Sequence, residues 1–162
     1  MPDAKHIYTQ SLQNTHAAEH QGLQQLELQV KGLDDYPDYA ALLRQHAGTT
    51  KQQLARIEQA LTEVGGSPAA LREGVTTAVG TVGAAVHGVM PDATLKNLFA
   101  GYAFQGEQIA AYTSLAVIAT AAGHAAHQGW IEESLQEEKA AAAGVEAIIE
   151  SVTLRFLAKQ QG

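Results

Sequence analysis

The chain has 162 residues, a formal charge of −7 and no cysteine. That length fits one domain with a real core, and the missing thiols exclude a disulfide scaffold, a thiolate zinc finger, an iron–sulfur centre and a cysteine nucleophile. The charge offers no field that draws in phosphates, so nucleic acid is not an expected partner, and no apolar run reaches the roughly 18 residues of a membrane span.

Alanine supplies 30 positions while aromatics make up only 6%, a composition that favours close-packed helices over sheets. The start, Met1 to His6, lacks the apolar stretch of a signal peptide, and the cytoplasm is the expected location. The first predicted helix runs over about 3–32, from Asp3 as N-cap, with apolar residues at Tyr8, Leu12, Leu23, Leu26 and Val30. After a short link, Pro37 opens a second helix over about 36–64, which carries Tyr39, Leu43, Leu54, Ile57, Leu61 and Val64 and stops at Gly65 and Gly66. A link this short makes the two helices antiparallel neighbours. Residues 67–90 differ: Val75, Val79, Val82, Val86 and Val89 form one stripe, interrupted by glycines, and read as a helical crossover. Two further helices follow over about 92–122 and 124–158. The chain is therefore expected to be all-α, a four-helix bundle of two antiparallel hairpins joined by a long crossover, which is the ferritin-like connectivity.

Polar residues interrupt the apolar seams at matching depth. Glu19 falls inward on the first helix, His46 with Thr49 or Thr50 on the second, Gln105 and Gln108 on the third, and Glu138 on the fourth. All lie near mid-helix, so antiparallel packing brings them to one level. Ferritin-like proteins hold pairs of metal ions in this place with carboxylates and histidines. A buried network of hydrogen bonds is the alternative use of such a layer.

Several segments resemble the YciE/YciF-type ferritin-like family of bacterial stress-associated proteins, over nearly the whole chain. They are His46 to Glu58, Leu95 to Tyr112, Ser134 to Glu138 and Val152 to Phe156. The resemblance implies a ferritin-like fold and a role in stress. It also implies metal ligands at Glu19, His46 and Glu138, and shows where this chain departs: Thr49, Gln105 and Gln108 stand where the family carries glutamates. Glu107 does not replace them, because one residue turns a side chain about 100° around the helix. Glu137 is the less favoured inward alternative to Glu138.

Two inward carboxylates cannot balance two divalent cations, so a pair of ions would leave buried positive charge. The expectation is a non-catalytic bundle with a degenerate di-metal centre and no cofactor. The alternative is one non-haem iron or manganese ion on Glu19, His46 and Glu138, acting on peroxide or oxygen. A homo-oligomer, simplest as a dimer, is the expected assembly, since the valine stripe of the crossover offers apolar surface.

His16-Ala-Ala-Glu19-His20 has the spacing of an inverted zinc-protease motif. It is expected instead to be surface histidines beside a core glutamate. His124 and His127 are expected to be solvated at the corner between the last two helices. Tyr102 and Tyr112 flank the polar layer as packing residues, and Trp130 reads as an anchor.

Overall fold

The computed structural model describes residues 3–66 and 92–161. Four long helices account for most of them: α1 (Ala4–Val30), α2 (Pro37–Glu63), α3 (Ala93–Ala121) and α4 (Gln128–Gln160), with one 3₁₀ turn at Ala125–His127. The expected crossover, with Val79 and Val86, lies outside the described residues.

Local chemistry sets the ends. The Asp3 carboxylate accepts from the His6 backbone N–H at 2.9 Å and closes the first turn of α1. Pro37 occupies the first turn of α2, where its missing N–H costs nothing. Helix α2 ends in a Schellman motif: Gly65 has φ +76°, and the Gly66 N–H donates to the Leu61 carbonyl at 2.7 Å. Helix α3 ends the same way, with Gly123 at φ +84° and the His124 N–H bonded to the Ala119 carbonyl at 2.8 Å. That reversal and the 3₁₀ turn start α4 at Gln128 rather than at His124.

Helix α1 packs against α2 and α3, and α4 against α3 and α2, which leaves α1–α4 and α2–α3 as the diagonals. Buried positions follow alternating steps of four and three, as at Tyr8, Leu12, Thr15, Glu19 and Gly22 on α1. This is the spacing of knobs-into-holes bundles, and it puts Gly22 inward where Leu23 was expected to be.

The apolar interior is divided. One cluster contains Tyr8, Leu12, Ile57, Leu61, Tyr112, Leu115 and Ile131 at the end where α1 begins and α2 finishes. A second contains Leu33, Tyr36, Tyr39, Leu43, Leu98, Val145 and Val152 at the other end. Each fully buried leucine or isoleucine contributes about 1.5–3 kcal/mol. Between the clusters lies a buried polar layer.

Candidate polar centre

Every helix supplies the layer. Glu19, His46, Thr50, Gln53, Gln105, Gln108, Ser134 and Glu138 are all buried. Glu19, His46, Gln105, Gln108 and Glu138 therefore stand inside, as the helix spacing predicts. Thr49 does not join them. Its hydroxyl turns back to the Gln45 carbonyl at 3.3 Å on a half-buried face, and Thr50 is the threonine that faces inward. Glu137 is also outside the layer: it forms a two-pronged pair with Arg56, at 2.7 and 3.1 Å. Arg56 reaches Glu133 as well, at 2.9 Å, so this cation ties α2 to α4 beside the layer.

The contacts inside form two short chains. The Tyr112 hydroxyl donates to Glu19 Oε1 at 2.8 Å. On the opposite side His46 Nε2 stands 3.2 Å from Glu138 Oε1, and His46 Nδ1 stands 3.3 Å from the Gln105 amide nitrogen. These partners fix the tautomer. Glu138 as a carboxylate accepts from Nε2–H, leaving the Nδ1 lone pair to accept from Gln105. The Gln105 carbonyl oxygen, both amide atoms of Gln108, Gln53 Oε1 and Glu138 Oε2 have no protein partner.

Burial pushes the Glu19 carboxyl up to about 8, and the nearby charge of Glu138 adds to the rise; the Tyr112 hydrogen bond opposes it. The Gln108 amide also stands near enough to oppose the shift, although it does not meet hydrogen-bond geometry. Glu19 is therefore mostly a neutral acid at pH 7. Burial, followed by the Glu19 charge, drives the Tyr112 hydroxyl far above its usual range, so it remains a donor.

The donors present do not fit a dinuclear metal centre. With Glu19 and Glu138 as its only carboxylates, the layer sets two negative charges against the four positive charges of two divalent ions, and Gln105 and Gln108 bring no charge. Among the described residues no three His, Asp or Glu side chains stand where they can hold one ion.

Two other clusters correct the sequence reading. His16 is not on the surface: it is buried, and its Nε2 meets Glu58 Oε1 at 2.9 Å, while His20 is half-buried with its ring facing His16 at 6.3 Å. His127 is not solvated either. Its Nδ1 accepts from the buried Tyr8 hydroxyl at 2.8 Å, and its Nε2 meets Glu63 Oε2 at 2.8 Å. His124 stacks on both Tyr8 and His127. Their positions miss the apolar seams by one residue or lie beyond a helix end, and only the cross-helix partners Glu58, Glu63 and Tyr8 make burial affordable. Tyr112 is wholly buried and Tyr102 is 40% exposed, so only the former touches the layer. Trp130 packs half-buried against the first apolar cluster.

A bundle of two hairpins with a polar layer at mid-height defines a ferritin-like protein. Residues 3–158 match the family described as a domain of unknown function, DUF892, and the chain belongs to that family. Solved structures agree on the fold. A Xanthomonas campestris pv. campestris protein is 25% identical, with a TM-score of 0.82 over 98% of this chain and 99% of that one. The E. coli stress protein YciF is 20% identical, with a TM-score of 0.67 over 92% and 96%. An archaeal Dps homologue from Halobacterium salinarum is 18% identical, with a TM-score of 0.73 over 90% and 81%. No helix among the described residues is long and apolar enough to cross a membrane.

Proposed function

We propose that this chain is a non-catalytic, stress-associated ferritin-like bundle in which a hydrogen-bonded polar layer replaces a di-metal centre. The observation that supports this most is the pairing at mid-bundle. Tyr112 serves a neutral Glu19, and Glu138 and Gln105 together occupy His46. Buried hydrogen-bonded pairs of this kind help to specify register and rigidity without chemistry, although several polar atoms beside them have no protein partner. The stress association rests on the fold shared with YciF, which its structure describes as a stress protein. Residence in the cytoplasm and assembly as a homodimer belong to the same reading.

The deciding experiment is elemental analysis after aerobic incubation with iron(II) and, separately, manganese(II), each followed by desalting. A folded protein that retains no ion is the expected result. Two ions per chain would sink the reading. One ion per chain would point instead to a reduced site of Glu19, His46 and Glu138, to be assayed with peroxide and oxygen as a non-haem iron or manganese oxidoreductase. Light scattering tests the dimer, and protein abundance under oxidative and osmotic stress tests the physiological role.

A further inference from the structure

Tyr8 and His127 form a pair that the polar layer does not use. Tyr8 is wholly buried, and its hydroxyl donates to His127 Nδ1 at 2.8 Å. His127 Nε2–H donates to Glu63 Oε2, also at 2.8 Å, and the Glu63 side chain is 48% exposed. A line of hydrogen bonds therefore runs from a phenol inside the first apolar cluster to a carboxylate in solvent. The rings of His124 and Trp130 flank this line. His124 stacks on Tyr8 at 5.2 Å, Trp130 stands 6.1 Å from His127, and both are half-buried.

Acid–base chemistry alone gives this line nothing to do. Burial, followed by the Glu63 charge, raises the Tyr8 hydroxyl above its usual range, so it does not ionise. Loss of an electron changes that. A phenol radical cation is a strong acid, and a buried cation without a partner is costly, so the proton must leave with the electron. Solvent does not reach Tyr8, and the acceptor in place is His127 Nδ1. The imidazolium that results faces Glu63, whose carboxyl is held below its usual value by hydrogen bonds from Gln59 and then His127. The new positive charge thus meets a carboxylate at the protein surface. Tyr112 offers a contrast. Its hydroxyl also has a buried partner, but Glu19 is mostly protonated at pH 7 and cannot take a second proton.

We propose that Tyr8 is a one-electron donor whose oxidation is coupled to proton transfer onto His127, and that oxidants of the peroxyl-radical class are its reactants. The O–H bond of Tyr8 breaks, and an N–H bond forms at His127 Nδ1. One electron passes through the flanking rings to the oxidant. An organic peroxyl radical becomes the peroxide anion, and protonation by water gives the hydroperoxide and hydroxide. The product is a neutral tyrosyl radical beside an imidazolium–carboxylate pair. Tyr8 gives up a single electron and does not turn over, so the bundle remains non-catalytic. The site requires no metal and is independent of whether the polar layer holds one.

Flash-generated tris(bipyridine)ruthenium(III), a one-electron oxidant that takes no proton, tests this on the full chain. Optical and electron paramagnetic resonance detection should show a tyrosyl radical whose formation slows in deuterium oxide. Tyr8→Phe leaves the other tyrosines in place and should abolish this signal. His127→Phe retains the phenol but removes its base, and radical formation should slow by about a hundredfold. Peroxyl radicals from a water-soluble azo initiator should produce the same radical in the wild type and not in Tyr8→Phe. The proposal is overturned if the wild type forms no tyrosyl radical, if the signal persists in Tyr8→Phe, or if deuterium oxide leaves the rate unchanged. An unchanged rate in folded His127→Phe also overturns it, and the isotope test on the wild type does not depend on how well that variant folds. A radical formed with ruthenium(III) alone would overturn the assignment of peroxyl radicals as reactants. Because none of these readouts involves metal, their failure is distinguishable from failure of the metal-free reading.

Discussion

Glu19 concentrates the cost of the polar layer in one ionisable group. Its carboxyl sits near 8 in the folded chain against an ordinary 4.5, because burial and then the Glu138 charge oppose ionisation. Between these values the native state holds a proton that the unfolded chain has released. Stability must therefore fall as pH rises through this window and level off above about 8. At about 1.4 kcal/mol per pH unit, the full effect is on the order of a few kcal/mol. Glu19→Gln retains an acceptor for Tyr112 and cannot ionise, so the loss of melting temperature between pH 5 and 8.5 should be clearly smaller in the variant. Parallel pH profiles for the two proteins would disprove the assignment. The inward positions of Glu19, His46, Gln105, Gln108 and Glu138 were all legible from helix periodicity. Their partners were not. Periodicity gives direction around one helix, but the choice of Thr50 over Thr49 depends on a rotation of a fraction of a turn, and Gln53 is buried because Ser134 and Glu137 on α4 receive its amide.

Helix ends show a different limit. Asp3, Pro37 and the Gly65–Gly66 pair announce their caps in the sequence, because each has one backbone task that few residues perform. Gly123 announces the end of α3 in the same way, but the corner beyond it, up to Gln128, announces nothing of the kind. Its structure depends on a chain of contacts from three elements: Tyr8 near the start of α1, His127 at the corner and Glu63 at the end of α2. With Nε2–H directed to Glu63, His127 Nδ1 is the acceptor for Tyr8, so each neutral group has its partner. Burial, followed by the Glu63 charge, raises the Tyr8 hydroxyl above its usual range and keeps its hydrogen in place. Hydrogen bonds from Gln59 and then His127 hold the Glu63 carboxyl below its usual value. His127→Phe leaves the Tyr8 hydroxyl buried without an acceptor and should cost about 1–3 kcal/mol in denaturant unfolding. Tyr8→Phe on that background should recover part of the loss, since it removes the orphaned group. Simple additivity of the two substitutions would show that the bond contributes nothing.

Across the whole molecule, the layer is a question of charge balance. Glutamates at Gln105 and Gln108 would place four carboxyl groups and His46 at one depth between two apolar clusters. Without metal such a layer repels itself, and some of its carboxyls must stay protonated to remain buried. With two divalent ions, four negative charges meet four positive ones. The double substitution Gln105→Glu and Gln108→Glu should therefore convert the protein into one whose stability depends on metal. Its metal-free melting temperature should lie below that of the wild type, with a wider gap at pH 8 than at pH 5. Manganese(II) should raise it, since a ligand at a hundred times its dissociation constant stabilises by about 2.7 kcal/mol. The wild type should not respond, and elemental analysis should find ions only in the variant. A variant that folds, remains metal-free and is insensitive to manganese would mean that ligand positions, and not charge alone, separate this layer from a working centre.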